Sequence, residues 1–217
     1  MTTGTMTNRR FIAFEGGEGT GKSTQAKLFF KYLQQEGQEA VLTREPGGTP
    51  GAEAIRALLL DPPGEGWNAR AEALLFAAAR SDHVERLIRP ALDAGSWVIC
   101  DRFVDSSRAY QGGAGALGDK TIAEMHSLGS CDLYPDLTVL IDVPATQIAQ
   151  RLAKRDGDNS DAIGGRSANY HRAVAQRFRQ MADEAPERFA LIDGTGTIED
   201  VQARVIAAIF GHAGSRT

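Results

Sequence analysis

The chain of 217 residues is 42% hydrophobic and 24% charged, with a formal net charge of −4 at neutral pH. This balance is typical of one globular domain and excludes a chain that is disordered along most of its length. No apolar run approaches the roughly 20 residues that span a bilayer, and no basic excess indicates a nucleic-acid partner. The first ten residues lack the apolar core of a secretory signal, and two cysteines are too few for a disulfide scaffold. We therefore expect a cytoplasmic protein with neither a membrane nor a nucleic acid as partner.

Short apolar runs alternate with helical patterns along the chain, and most of the runs are apolar on both faces. Such runs are typical of buried parallel strands. The predicted strands are Phe11–Phe14, Ala40–Thr43, Trp97–Cys100, Leu137–Val143 and Phe189–Ile192.

Apolar residues at helical spacing predict helices between and after these strands. The predicted helices are Ser23–Gln35, Gly51–Leu60, Ala69–Ala94 with a bend or break near Pro90, Asp119–Leu128, Thr146–Asp156, Ser167–Ala185 and Ile198–Phe210. An aspartate at the start of the fourth helix is suited to an N-cap, and the segment from Thr197 to Asp200 resembles a capping box.

Strand and helix alternation predicts an α/β fold, in which a five-stranded parallel sheet is covered by helices on both faces. We expect a single domain over residues 9–210, with flexible tails at 1–8 and 211–217. The polar, glycine-rich segment Gly157–Gly165 interrupts two helices and predicts a mobile lid over about residues 151–166.

Glycine is over-represented, with 24 of 217 residues, and its densest cluster follows the first strand. Gly16–Ser23 matches G-x-x-x-x-G-K-[ST] between a predicted strand and a predicted helix, which predicts the phosphate-binding loop of a P-loop NTPase fold. Lys22 would reach the β- and γ-phosphates, and the Ser23 hydroxyl would bind Mg²⁺. The predicted ATP-binding residues are Gly16, Gly17, Glu18, Gly19, Thr20, Gly21, Lys22, Ser23 and Thr24.

Two charged residues follow the third predicted strand, which lies beside the first strand if the sheet is doubly wound. Asp101 is placed to hold Mg²⁺, and Arg102 to clamp a phosphate. These residues alone leave the phosphoryl acceptor open. The alternatives are another P-loop kinase of a nucleoside or nucleotide, and an NTP-binding regulator, although no N-K-x-D guanine motif is present.

Five segments, in order and spacing, resemble the thymidylate kinase family: Gly16–Thr24, Arg44–Thr49, Phe76–Arg80, Asp101–Phe103 and Ser106–Gly112. The resemblance covers about residues 9–210. It implies phosphorylation of dTMP to dTDP with ATP and Mg²⁺, and a homodimer.

The resemblance also implies how dTMP is bound. Phe76 would stack on thymine, Arg80 would bond the base edge, and Tyr110 would lie beneath the deoxyribose. Arg102 would bind the dTMP phosphate. The implied substrate-binding residues are Arg44, Pro46, Gly47, Phe76, Arg80, Arg102, Ser107, Tyr110 and Gln111.

The phosphate-binding loop carries no arginine, so the chain resembles the subtype whose lid supplies arginines. Arg155 is the first choice, ahead of Arg151 and Arg166. The family lid commonly reads Asp-Arg-(Ile/Phe)-Glu, whereas Asp161–Gly164 lacks both the arginine and the glutamate. The implied catalytic residues are Lys22, Asp101, Arg102, Glu18 and Arg155, with Ser23 and Asp101 as the metal ligands.

Overall fold

A computed structural model describes residues 10–155 and 162–211, without the side chains of residues 152–155. Five strands form a single parallel sheet: β1 (Phe11–Glu15), β2 (Ala40–Arg44), β3 (Trp97–Asp101), β4 (Leu137–Asp142) and β5 (Phe189–Asp193). Their order is β2-β3-β1-β4-β5. All five predicted strands are confirmed within a residue or two at each end.

Helices connect the strands, as the periodicity predicted. They are α1 (Lys22–Gln35), α2 (Pro50–Leu60), α3 (Ala69–His83), α4 (Arg89–Asp93), α5 (Val104–Ser107), α6 (Asp119–Ser130), α7 (Ala145–Arg155), α8 (Ala168–Glu184) and α9 (Ile198–Gly211). Thr49 and Ser167 cap α2 and α8 with their hydroxyls. The predicted capping box is present: the Asp200 N–H donates to Thr197 Oγ1, and the Thr197 N–H donates to Asp200 Oδ2.

Side chains of β1 alternate between two apolar cores, which confirms a sheet covered on both faces. Ile12 and Phe14 pack with Phe29 of α1 and Val205 of α9 on one face. On the opposite face, Phe11 belongs to a second buried cluster formed with the helical segments after β2 and β3. Burying both faces leaves the ends of the strands as the place where polar groups can gather.

The direction of chain winding reverses around β1, because β1 pairs with β3 on one side and with β4 on the other. Ligands of open α/β sheets bind at such a switch point, outside the carboxyl ends of the strands. The register sets Phe14 opposite Asp101, and Arg44 opposite Asp101 as well. Residues that follow β1, β2 and β3 therefore converge at one edge.

The long predicted helix over Ala69–Ala94 is interrupted earlier than expected. It becomes π-helical over Val84–Ile88, where the Arg89 N–H donates to the Val84 carbonyl, and then continues as α4. Proline has no N–H and its ring crowds the carbonyl four residues back, so Pro90 favours a wider turn before it.

Two further expectations need correction. Asp119 is not an N-cap: Gly118 occupies that position without a side-chain bond, and the Asp119 carboxylate accepts two hydrogen bonds from Arg108 instead. Residues 104–114, for which no helix was predicted, form α5 and a π-helical segment, Arg108–Ala114. This segment packs against α8 and α6, so tertiary contacts outweigh the turn preference of its paired glycines.

The predicted tails and the centre of the predicted lid, residues 156–161, lie outside the described residues. Among the described helices, none is both long and apolar enough to cross a membrane.

Candidate active site

The loop between β1 and α1 wraps tightly at the switch point. Gly16 has φ +142°, and a Cβ there would lie 2.6 Å from the Ile141 carbonyl oxygen, so the position accepts only glycine. The Thr20 hydroxyl and the Lys22 ammonium both donate to the Gly17 carbonyl, at 3.0 and 3.2 Å. The loop thus forms a compact turn directly before the N-terminus of α1, where backbone N–H groups and the helix dipole favour phosphate.

Lys22 is buried beneath this loop. Burial lowers the pKa of its ammonium to about 8, and the nearby Arg102 guanidinium lowers it further, while carboxylates around it oppose the shift. A lysine in this position loses its charge more easily than an exposed one unless an anion binds beside it.

Arg102 links the phosphate-binding loop to the neighbouring strand. It follows β3 in a left-handed conformation, with φ +71°. Its guanidinium donates to the Gly16 carbonyl at 3.2 Å, to Ser106 Oγ at 3.0 Å and to the Glu18 carboxylate at 2.5 Å. It also lies 5.2 Å from the centre of the Tyr110 ring. One side chain therefore touches both the loop and the segment after β3.

Glu15, which was not predicted as a site residue, binds the segment after β3 through its carboxylate. Its buried carboxylate accepts from the Phe103 N–H, the Ser106 N–H and the Ser106 hydroxyl, at 2.8, 3.0 and 2.6 Å. Burial raises the pKa of Glu15 to about 7, against the attraction of Arg102. A carboxylate that ends an otherwise apolar strand is the signal from which this role could have been found.

Asp101 ends β3 beside the phosphate-binding loop. Its Oδ1 atom is buried and accepts no hydrogen bond from any described residue. A buried carboxylate oxygen without a partner is costly, so this atom is available for a ligand that the protein itself does not supply.

A cavity of about 190 Å³ opens between the loop and the helices after β2 and β3. Most of the predicted site residues line it: Glu18, Lys22, Ser23, Arg44, Pro46, Phe76, Arg80, Asp101, Arg102, Ser107, Tyr110 and Gln111. The other predicted loop residues, Gly16, Gly17, Gly19, Thr20, Gly21 and Thr24, and also Gly47, lie outside its lining. We call this space the acceptor cavity.

Arg80 is buried in the wall of the acceptor cavity and fixed on two sides. Its Nε donates to Glu45 Oε2 at 2.7 Å, and its Nη2 donates to Ser107 Oγ at 2.9 Å. His83 contacts the other Glu45 oxygen at 3.1 Å and the Thr43 hydroxyl at 2.7 Å. Arg80, which was predicted to bond the base edge, is therefore held in a fixed orientation by an ion pair and a hydrogen bond.

The loop after β2 borders the acceptor cavity. Pro46 follows a cis peptide bond and is buried, whereas the Arg44 side chain is half-exposed and pairs with Glu53. Further cavity residues were not predicted: Glu45, Arg56, Leu60, Phe103, Ser106 and Ile163. Glu45 lies within the Arg44–Thr49 motif, but the sequence of this motif does not show whether Glu45 is a buried hydrogen-bond acceptor or an exposed surface charge.

The three candidate lid arginines lie in different environments. Arg151 donates to the Thr20 carbonyl of the phosphate-binding loop at 3.1 Å and to the Gly194 carbonyl at 3.0 Å. Arg166 instead pairs with Glu72 beyond the acceptor cavity and lies over the Tyr170 ring. The Arg155 side chain lies outside the described residues.

A phosphate-binding loop at the switch point of a parallel sheet, facing a cavity with a buried arginine and an aromatic wall, defines a P-loop kinase of a small acceptor. The sequence model of thymidylate kinases matches residues 14–205. A thymidylate kinase of Rhizorhabdus wittichii is 54% identical over 200 residues, covering 92% of this chain and 96% of its own. One of Bradyrhizobium sp. is 47% identical over 201 residues, covering 92% and 89%.

A crystal structure of thymidylate kinase from Ehrlichia chaffeensis superposes with a TM-score of 0.74 at 34% identity, covering 92% of this chain and 97% of that one. The chain therefore belongs to the thymidylate kinase family, whose reaction is the phosphorylation of dTMP to dTDP with ATP as donor. The resemblance drawn from the five sequence segments is confirmed, and so are the fold and the enzyme class.

Proposed function

We propose that this chain transfers the γ-phosphoryl group of ATP to the 5′-phosphate of dTMP inside the acceptor cavity. The observation that carries the proposal is the continuity of this cavity. Lys22 and Ser23 of the phosphate-binding loop line it together with Phe76 and Arg80 of α3. A donor triphosphate and an acceptor base can therefore occupy two ends of one space.

The thymine end of the acceptor cavity has an aromatic wall, formed by Phe76, and a polar edge, formed by Arg80, Ser107 and Gln111. Phe76 offers a flat apolar face for stacking, and Arg80 offers a fixed donor for a base carbonyl. Ser107 and Gln111 complete the polar edge. Tyr110 is buried and its hydroxyl accepts a hydrogen bond from Arg102 at 3.3 Å, so we place it beneath the sugar, where a 2′-hydroxyl would meet it.

The phosphate end of the acceptor cavity needs positive charge rather than a general base. A phosphate monoester is largely dianionic at pH 7 and is already nucleophilic, so the task is to bring two anions together. We assign Arg102 to the acceptor phosphate and Lys22 to the donor phosphates. Glu18 holds the Arg102 guanidinium in place, and Arg44 with Pro46 and Gly47 closes over the acceptor.

Ser23 and Asp101 fit a Mg²⁺ ion that accompanies ATP. Ser23 is exposed at the start of α1, and the unpartnered Asp101 Oδ1 supplies the hard oxygen that Mg²⁺ prefers. When bound, the ion would neutralise charge on the donor phosphates. The other loop residues, Gly16 to Thr24, would surround those phosphates with backbone N–H groups.

For the lid, we propose that Arg155 reaches the transferring phosphoryl group. Removal of such an arginine typically slows catalysis by orders of magnitude, so Arg155→Ala is expected to lower kcat well beyond threefold. Arg172→Ala on the exposed face of α8 serves as control and is expected to leave kcat unchanged. A kcat for R155A within about threefold of the parent would remove Arg155 from the mechanism.

We also propose a cytoplasmic homodimer. Leu58 of α2 and Leu74 of α3 are 43% and 56% exposed, which leaves apolar surface on neighbouring helices. Sedimentation is expected to give twice the chain mass of 23.3 kDa at micromolar concentration. A mass of one chain would contradict the dimer.

Product analysis tests the reaction itself. With ATP, Mg²⁺ and dTMP, the chain is expected to form ADP and dTDP in equal amounts, and neither product without dTMP. Release of ADP that does not depend on dTMP would instead favour an NTP-binding regulator. Lys22→Met is the matched control for contaminating kinase activity.

A further inference from the structure

A chain of hydrogen bonds runs from the acceptor cavity to Arg166, at the end of the predicted lid. Gln111 is 4% exposed and lines the acceptor cavity. Its Nε2 donates to Glu72 Oε1 at 2.9 Å. The other Glu72 oxygen accepts from the Arg166 guanidinium. Glu72 itself does not line the acceptor cavity but a smaller hollow next to it, so it would act on a ligand only through Gln111.

This arrangement fixes which end of the Gln111 amide faces the acceptor cavity. A carboxylate paired with a guanidinium only accepts hydrogen bonds. The NH₂ group of Gln111 must therefore point at Glu72, because the reverse orientation would set two acceptors against each other. The amide oxygen is then left for the acceptor cavity, where it accepts and does not donate.

Arg80, on the same polar edge, has the complementary hydrogen-bonding character. Arg80 carries only donors, and its Nε and Nη2 are already used by Glu45 and Ser107. Arg80 and Gln111 both line the acceptor cavity, so its polar edge combines a donor from Arg80 with an acceptor from Gln111. Thymine carries a carbonyl next to a ring N–H, which matches this order, whereas cytosine carries an amino group next to a bare ring nitrogen, which reverses it.

We propose that Glu72 is a positioning residue that sets the selectivity of the site for a base with a carbonyl beside a ring N–H. It does so by fixing the Gln111 amide, and the proposal rests on the proposed function. Glu72→Gln removes the constraint, because a neutral amide can donate as well as accept, and Gln111 can then turn its NH₂ group toward the acceptor cavity.

The readout is the ratio of kcat/KM for dTMP to kcat/KM for dCMP. A buried polar edge that matches one base and opposes another discriminates strongly, so E72Q is expected to lower this ratio about tenfold or more. Arg166→Gln removes the ion pair but keeps the Glu72 carboxylate, and is expected to leave the ratio within about threefold. Glu72→Met also removes the acceptor and gives a second route to the same loss if E72Q does not fold.

A double-mutant cycle tests whether Glu72 acts through Gln111. In a Gln111→Leu background, E72Q is expected to leave the ratio unchanged. The inference would be overturned if E72Q left the ratio within about threefold of the parent, or if it caused an equal loss when Gln111 is already replaced. A parent enzyme that does not prefer dTMP to dCMP at all would contradict the proposed function instead.

Discussion

At the scale of single residues, the site depends on charges that are buried and closely coupled. Lys22 and Arg102 lie within one small region with Glu15, Glu18 and Asp101, and each influences the protonation of Lys22. Such coupling keeps Arg102 fixed, because four different groups accept its hydrogen bonds. Arg102 is thus already held at the acceptor cavity before any ligand binds, at the place where we propose that the two phosphates meet.

The lowered pKa of Lys22 predicts a pH dependence of ATP binding if Lys22 contacts the donor phosphates, as we propose. Bound phosphates favour the charged ammonium and raise its pKa, so binding takes up a proton when the free enzyme is deprotonated. Since the free pKa is about 8, affinity for ATP is expected to be constant below that value and to weaken as the pH rises above it. Titration calorimetry between pH 7 and 9.5 measures this, and an affinity that stays flat to pH 9.5 would contradict it.

Site residues could be predicted where a charged or hydroxyl side chain follows or ends a predicted strand. Lys22 and Ser23 were predicted from the motif that follows β1, and Asp101 from its place at the end of β3, without any knowledge of packing. Glu72 could not be predicted, because a carboxylate on a helix shows no partner in the sequence. Glu15 did leave a signal, as the carboxylate that ends an apolar strand, but its partners could not be inferred from it. Their importance comes from the groups that the fold brings to them.

At the scale of elements, the period of apolar residues located the strands and most helix ends. It could not locate the π-helical turns at Val84–Ile88 and Arg108–Ala114. Such turns differ from an α-helix by one extra residue, and local sequence preferences are too weak to decide between them. The second of these turns carries Tyr110 and Gln111, so an unpredicted irregularity presents two of the predicted site residues.

The loop after β2 gives a prediction at this scale. Gly48 has φ +93°, and a Cβ there would lie 2.5 Å from Thr43 Oγ1 and 2.6 Å from His83 Nε2. Gly37 has φ +72° but open space around it. Gly37→Ala is expected to cost about 1 kcal/mol of unfolding free energy from backbone strain alone, and Gly48→Ala about 3 kcal/mol because overpacking adds to it.

Urea unfolding of the two variants measures the difference. Because both glycines are left-handed, the comparison separates strain from the collision with the buried His83 and Thr43 pair. Equal losses of stability would mean that this pair yields easily and does not hold the loop against the acceptor cavity.

At the scale of the whole molecule, the sheet order assembles the site from distant parts of the chain. The edge formed by β2, β3 and β1 brings together residues 15–23, 44–46 and 101–111, and α3 adds Phe76 and Arg80 from the side. Alternation of strands and helices predicted the parallel sheet. The depth and lining of the acceptor cavity depend instead on packing between helices, and the sequence pattern does not show which helices contact each other.

The acceptor selectivity of this cavity is the most direct test of the proposed reaction. Initial rates with dTMP, dUMP, dCMP, dAMP, the ribonucleotide of thymine and thymidine, at saturating ATP and Mg²⁺, give kcat/KM for each acceptor. We predict the highest value for dTMP, a large loss for dCMP from the reversed polar edge, and a loss for the ribonucleotide from Tyr110. Faster turnover of dUMP, dAMP or thymidine than of dTMP would contradict dTMP as the acceptor of this chain.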